Sequence, residues 1–229
     1  MVLVVAGGAA LGAATACGSS GSGTGGAGGT ATAGTGAGGP GGAGGEEEGL
    51  GGEASWEIGS GSGGCNAVLY EPPVLSSPHV DACSDLDHLS NPPTSGPHYG
   101  SWAQFKNYDE PVPRGFLIHA MEHGAVLFLY NCTNCDDEIT AIQDYIASKP
   151  TDPACLPTVD RRVIASPAPW LDVPFAVAAW GFMLKADCFD ADQIDAIYDD
   201  RYAQGPEDLC ASGIDPLDPM SEIPSDCPL

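Results

Sequence analysis

Lysine and arginine are scarce in this sequence, which has seven of them against 31 aspartates and glutamates and a formal net charge of −24. Without a basic patch the chain cannot neutralise phosphates, which excludes nucleic acid as a partner. The same deficit excludes electrostatic docking on anionic lipid. The chain also lacks a long apolar run, because the apolar stretch at residues 1–16 is short for a membrane-spanning helix.

Residues 1–16 have instead the small, apolar character of an export signal. The basic residues that usually open a signal are missing, so we expect Met1 to lie inside a longer natural signal. Ala14-Thr15-Ala16-Cys17 resembles a bacterial lipoprotein cleavage box, which predicts lipidation of Cys17 and removal of residues 1–16. An ordinary cleaved signal is the alternative. Acyl chains on Cys17 would anchor the protein to a membrane, the one partner that the sequence predicts.

Glycine is concentrated behind this signal, where residues 18–64 hold 22 of the 32 glycines and almost no large apolar side chains. Such a stretch buries too little surface to offset the entropy lost on ordering it. Residues 17–64 are therefore predicted to be the lipid-attachment cysteine followed by a disordered, Gly-rich linker. We assign residues 65–229 to a single globular domain.

Nine cysteines are an odd number, which lipidation of Cys17 would explain. The other eight are predicted to form four disulfides, and their density is typical of an oxidising, extracytoplasmic compartment such as the periplasm or the cell surface. They are Cys65, Cys83, Cys132, Cys135, Cys155, Cys188, Cys210 and Cys227. Eight cysteines allow 105 pairings, so the connectivity stays open. The Cys132-x-x-Cys135 spacing is also that of redox motifs, but a structural disulfide is favoured.

Hydrophobic patterning predicts an α+β fold. Apolar runs of strand length at residues 116–119, 125–130, 161–165 and 175–184 predict strands. Helices are predicted to begin at Asp136 or Asp137, with a stripe of isoleucines at 139, 142 and 146, and at Asp190 or Asp192. Residues 65–113 have little periodicity and predict an irregular cap tied by disulfides. The predicted fold is a small, mainly antiparallel sheet with two helices on one face.

The candidate chemistry lies in His119-Ala120-Met121-Glu122-His123-Gly124 and in His98 of a proline-rich loop. On a strand, His119, Met121 and His123 would share one face; on a helix, His119 and His123 would lie one turn apart with Glu122 beside His119. Gly124 and the apolar run after it favour the strand. Imidazole and carboxylate groups bind transition metals, so we predict a metal site. Its candidate ligands are His98, His119, Glu122, His123 and Glu207.

Zinc and copper are the candidate metals. Zinc would take the three histidines and a carboxylate, whereas copper would add the thioether of Met121. His-x-x-Glu-His is also the inverzincin protease motif, in which Glu122 would be the catalytic base and Glu207 a third ligand. That hydrolase needs the motif on a helix. The sequence favours a non-enzymatic role over an enzymatic one. A structural or interaction module, with these residues in a buried hydrogen-bond network, is the remaining alternative.

Several short motifs accompany this histidine segment. They are Pro92-Pro93-Thr94-Ser95-Gly96-Pro97-His98-Tyr99, then His119 with Glu122-His123-Gly124, then Tyr130-Asn131-Cys132, Trp180 and Gly205-Pro206-Glu207. Together they resemble a bacterial extracytoplasmic domain family of unknown function, over about residues 88–209. The resemblance implies a secreted or membrane-tethered domain and no established activity. The leading hypothesis is therefore a lipid-anchored domain that binds a metal ion through its clustered histidines.

Overall fold

The computed structural model describes residues 53–61 and 63–229. The predicted signal segment, the lipidation of Cys17 and most of the predicted linker lie outside these residues. The elements are β1 (Glu57–Ser60), β2 (Ala67–Tyr70), β3 (His79–Val80), β4 (His98–Tyr99), α1 (Arg114–Glu122), β5 (Val126–Tyr130), α2 (Asp136–Ser148), β6 (Val163–Pro167), β7 (Phe175–Ala179), β8 (Phe182–Ala186) and α3 (Ala191–Arg201). Strand β1 lies inside the segment assigned to the linker and pairs with β2, so ordered structure begins before residue 65.

Six of the strands form one sheet in the order β1-β2-β8-β7-β5-β6. All neighbours in it are antiparallel except β5 and β6, which are parallel. Strands β3 and β4 form a separate parallel pair. The mixed fold with a mainly antiparallel sheet confirms the predicted fold class. No helix in the described ranges is long and apolar enough to cross a membrane.

Both faces of the sheet are covered, as the central strand β5 shows. Val126 and Phe128 belong to a buried cluster with residues of α2 and α3, whereas Leu127 and Leu129 belong to a second cluster with residues of α1. This alternation is what the two-residue period of a strand gives when both faces are buried. The two predicted helices, α2 and α3, therefore lie on one face, and α1 lies on the other.

Local signals at the two predicted helices agree with the structure. The carboxylate of Asp190 accepts hydrogen bonds from the backbone N–H groups of Asp192 and Gln193, which caps α3. Helix α2 begins at Asp136, and Ile142 and Ile146 of its apolar stripe are buried, but its N-cap is Cys135 without a side-chain hydrogen bond, so the prediction of Asp136 or Asp137 as the N-cap is wrong. These amphipathic helices were predictable because each shows one apolar stripe to a single sheet face.

The strand predicted at residues 116–119 is wrong, because these residues belong to α1. The helix is buried nearly all round, with Gly115 to Glu122 all inaccessible, so its sequence has no polar face to reveal a helical period. Gly124 has φ +84°, and its N–H donates to the carbonyl of Met121 while the Ala125 N–H donates to that of Ala120. This is the Schellman end of a helix, so Gly124 is a helix stop rather than a strand signal.

The single strand predicted at residues 175–184 is a hairpin. Strands β7 and β8 pair through Ala179 opposite Phe182, and the chain reverses at Trp180 and Gly181, where Gly181 has φ +67°. Both strands are fully buried, so the apolar run continues through the turn without polar punctuation. Strand β6 is shifted two residues toward the C-terminus from its predicted position.

All eight predicted cysteines are paired in the structure. The disulfides are Cys65–Cys188, Cys83–Cys227, Cys132–Cys135 and Cys155–Cys210. The first joins the segment before β2 to the segment before α3, and the second joins the segment after β3 to the C-terminal residues. The Cys132–Cys135 pair lies between β5 and α2. The prediction of four disulfides is therefore confirmed, and the connectivity that the sequence left open is assigned.

Candidate metal centre

Helix α1 provides two of the side chains at the centre. His119 and Glu122 are three residues apart, so they lie on the same face of the helix and point to the same side. Both are buried, His119 at 3% exposure and Glu122 at 6%. The helix can hold polar groups here because its other residues fill the apolar core between the sheet and the loops.

The parallel pair of strands β3 and β4 provides two more. His79 and His98 are register partners in this pair, so their side chains leave adjacent backbones on the same face. His98 is completely buried, whereas the side chain of His79 is 53% exposed. The proline-rich loop before β4 is also buried at Thr94 and Ser95, and the Ser95 hydroxyl accepts a hydrogen bond from the Leu75 N–H. The loop therefore holds His98 as part of the packed interior.

These four residues converge. Each of His79, His98, His119 and Glu122, hereafter the His/Glu cluster, offers one nitrogen or oxygen atom, and these atoms lie within 4.8 Å of one another. The Glu122 Oε2 atom is 2.9 Å from Nε2 of His98 and 3.8 Å from Nε2 of His79. The sequence predicted three of the four members as ligands, and it missed His79.

Two of the histidines are fixed from behind by backbone carbonyls. The Nδ1 atom of His98 is 2.9 Å from the carbonyl oxygen of Gly96, and Nδ1 of His119 is 2.7 Å from that of Tyr99. A carbonyl can only accept, so each Nδ1 carries the proton and each Nε2 keeps a lone pair in the neutral ring. Metal-ligating histidines almost always have such an outer hydrogen bond, which fixes the tautomer and the ring orientation.

The atoms that face each other inside the cluster are unsatisfied. His98 Nε2 and Glu122 Oε2 are buried and make no hydrogen bond despite their close approach. A ring nitrogen and a carboxylate oxygen this close together are stabilised by a proton or by a metal cation that both atoms bind. Leaving buried polar groups without partners costs about 1–3 kcal/mol each. Among the described residues, the ion-pair partners of Glu122 are the histidines alone.

Burial keeps the His119 ring neutral. Desolvation lowers the pKa of His119 to about 4, and the neighbouring rings of His98, His123 and His79 act in the same direction, while the hydrogen bond to Tyr99 opposes it. At neutral pH this ring is therefore the neutral imidazole, which is the form that binds metal ions.

The two other predicted ligands lie beside the cluster rather than in it. The ring of His123 stacks on Trp102 with centroids 4.4 Å apart, and its Nε2 is 3.5 Å from Oε2 of Glu207. Burial lowers the pKa of His123, an effect that Glu207 partly offsets. The Glu207 side chain is 55% exposed. His123 and Glu207 therefore form a neighbouring pair, with the His119 and His123 rings 4.8 Å apart.

The geometry disagrees with one element of the copper interpretation and with one element of the protease interpretation. Met121 is fully buried in the apolar core, and on helix α1 a residue two positions from His119 does not share its face, so its thioether points to another side than the His119 ring. The His-x-x-Glu-His motif does lie on a helix, as an inverzincin requires. However, Glu122 stands among the ligand atoms, and His123 packs against Trp102 instead.

The His/Glu cluster lies in a region that matches a known protein family. A family model described as "Protein of unknown function (DUF3105)" matches residues 79–212. The chain belongs to this family. The DUF3105 region contains every member of the His/Glu cluster and begins nine residues before the span suggested by the sequence resemblance. No curated protein and no solved structure matches the chain.

His79 is the cluster member that sequence reasoning did not find. It is the first residue of the DUF3105 region and lies 19 positions before His98. Strands β3 and β4 are two residues long, which is too short for any hydrophobic period to predict them. Their parallel pairing is set by tertiary packing, so no local signal placed His79 beside His98.

A loop of the DUF3105 region clamps the end of α1. The N–H of Glu207 donates to the carbonyl of Glu122, and the N–H of Ala203 donates to that of Gly124. Gly205 lies against the helix end so closely that a Cβ atom there would be 2.2 Å from the Glu122 carbonyl oxygen. The buried Arg162 donates to the carbonyl of His123 and pairs with acidic side chains on this side. Loop and arginine together fix the helix turn that carries Glu122.

Proposed function

We propose that this DUF3105 domain binds one divalent transition metal ion through His79, His98, His119 and Glu122. The observation that carries the proposal is the His98–Glu122 contact, in which two buried atoms that make no hydrogen bond lie 2.9 Å apart. A dication bound by both atoms would satisfy them. The backbone hydrogen bonds of His98 and His119 support the same conclusion, because they aim each Nε2 at the cluster.

Zinc fits this donor set best. Zinc takes imidazole nitrogen at roughly 2.0–2.1 Å and carboxylate oxygen at roughly 2.0–2.2 Å in a tetrahedral arrangement, which places ligand atoms about 3.4 Å apart. The Oε2–Nε2 distances of 2.9 and 3.8 Å at Glu122 bracket that separation. A thioether-rich copper(I) site is disfavoured because Met121 lies in the core.

The alternative structural role would require a satisfied hydrogen-bond network. In that case a proton shared by His98 and Glu122 would replace the metal ion. The geometry disfavours it, since neither atom makes a hydrogen bond. Glu122 as a ligand is also not free to act as the base of a hydrolase, so metal binding without turnover is the proposed role.

We propose further that the domain works outside the cytoplasm, tethered through a lipid on Cys17. Four disulfides support an oxidising compartment. The tether and the lipid rest on the N-terminal sequence alone. Mass spectrometry of the mature protein tests them, because a diacylated or triacylated Cys17 peptide is expected and an unmodified one contradicts the proposal.

Metal binding is tested on the full, oxidised protein after chelator treatment. Titration with zinc is expected to give one ion per chain for the wild type, and a loss of that site in His119→Ala. His88→Ala is the matched control, because His88 lies outside the cluster and its variant should keep one ion. Equal, sub-stoichiometric zinc in the wild type and in His119→Ala would overturn the proposal.

A further inference from the structure

The four members of the His/Glu cluster are not equally accessible. His98, His119 and Glu122 are at most 6% exposed, whereas the side chain of His79 is 53% exposed. Among the four ligand candidates, His79 is therefore the one whose side chain an ion or donor in solvent can contact directly.

The members also differ in how firmly they are held. His98 and His119 each donate from Nδ1 to a backbone carbonyl, and Glu122 lies in the turn of α1 that the Gly205 loop clamps. In the described part of the chain, neither ring nitrogen of His79 makes a hydrogen bond, and its ring is held by contacts with the rings of His119 and His98, at centroid distances of 4.8 and 4.9 Å. Its ring can therefore turn about its side-chain bonds without breaking a hydrogen bond.

We propose that His79 is a displaceable ligand, so that the metal ion enters and leaves through the His79 side of the cluster. This inference rests on the metal site proposed above. Two histidines anchored by backbone hydrogen bonds and the buried carboxylate of Glu122 hold the ion, and His79 closes the fourth position when no other donor occupies it. Closed four-ligand sites are structural, whereas sites with an open fourth position exchange or react. Because the His79 ring is accessible and makes no hydrogen bond, we expect this centre to behave as a site with an open fourth position.

Exchange would proceed by ligand substitution. An incoming imidazole or carboxylate donor forms a bond to the ion with its own lone pair, and the bond from the ion to His79 Nε2 breaks and returns its electron pair to the ring. No electron changes hands and the charge of the ion is unchanged.

The experiment measures zinc release from the loaded, full, oxidised protein into a chromophoric chelator. For the wild type, the release rate is expected to rise with chelator concentration, because the incoming donor takes the His79 position. In His79→Ala, affinity is expected to fall about tenfold and release to become faster, since one ligand is lost but three remain. In His98→Ala, affinity is expected to fall by a further factor of about ten or more, because a rigid interior ligand is lost.

Each outcome is decisive. A wild-type protein that binds no zinc overturns the proposed function and this inference together. A wild-type protein that binds zinc, but releases it at a rate independent of chelator concentration, overturns this inference alone. Equal losses of affinity in His79→Ala and His98→Ala also overturn it, because the two rings would then be equivalent. Circular dichroism of each variant confirms folding, and His88→Ala controls for the loss of a histidine elsewhere.

Discussion

The close approach of Gly205 to the end of α1 makes a prediction that needs no metal. In Gly205→Ala, the added Cβ would lie 2.2 Å from the Glu122 carbonyl oxygen, 2.4 Å from the Gly124 nitrogen and 2.6 Å from the Met121 carbonyl oxygen. All three are backbone atoms, so no side chain can turn away. Because non-bonded contacts of this kind need about 3.5 Å, the loop or the helix end has to move by about 1 Å.

The size of the effect follows from two terms. Overpacking in a well-packed region costs about 1–3 kcal/mol. The shift also strains the hydrogen bonds that Ala203 and Glu207 donate to the helix end, each of which contributes about 1 kcal/mol. We therefore expect Gly205→Ala to lose about 2–4 kcal/mol of unfolding free energy, which corresponds to a fall in Tm of about 4–16 °C for a domain of this size.

Thermal and urea unfolding of the apo protein are the assays. Gly100→Ala is the matched control, because a Cβ at Gly100 meets nothing within 4 Å and should change stability by no more than about 0.5 kcal/mol. Zinc affinity should fall in Gly205→Ala and not in Gly100→Ala, since only the first displaces the turn that carries Glu122. Equal Tm values for the two variants would refute the close approach on which the reasoning depends.

Three further predictions concern single features of the fold. Glu122→Gln should weaken zinc binding at least about tenfold in calorimetric titration while leaving apo stability unchanged or higher, because it removes a buried carboxylate whose Oε2 atom makes no hydrogen bond. Replacing Cys83 and Cys227 by serine should cost up to about 5 kcal/mol in urea unfolding, since their disulfide closes a span of 144 residues. Acid titration of apo stability should show a decline from about pH 6.5 to 4 that is smaller in His88→Gln, because burial and the nearby Arg114 lower the pKa of His88 to about 4.

The sign of the acid effect follows from proton binding. Between pH 6.5 and 4 the unfolded chain protonates His88 and the folded chain does not, so stability is lost as the pH falls and levels off near 4. An unchanged pH profile in His88→Gln would contradict that assignment. For the disulfide, the Cys132/Cys135 double serine variant is the control, because its span of three residues predicts a much smaller loss.

Sequence patterns predicted the helices that show one apolar face and the buried strand β5, and they failed at helix α1 and at the β7–β8 hairpin. Helices α2 and α3 carry a stripe and an N-terminal acid, which is why their starts were predictable. Helix α1 is buried on all sides, so its sequence is an apolar run that a buried strand could also have. Only Gly124, which ends the helix with a positive φ, distinguishes the helix from a strand. The β7–β8 hairpin was missed because Trp180-Gly181 is not one of the common turn pairs.

The candidate site was predictable where two of its ligands lie on the same secondary-structure element. His119 and Glu122 are neighbours on a helix, and the spacing of these residues in the sequence is compatible with this helix as well as with a strand. The preference for a strand then placed His123 with His119 and turned Glu122 away, which the helix reverses. His79 needed the pairing of two short parallel strands, a tertiary event that no local pattern encodes.

The Cys83–Cys227 disulfide has a consequence for proteolysis. It joins the segment just after His79 to the third residue from the C-terminus, so almost the whole DUF3105 region lies inside one covalent loop. A single backbone cut anywhere between these cysteines yields two chains that stay linked. A nicked molecule would keep its mass under non-reducing conditions and hold its histidines together, and it would separate into fragments only after reduction.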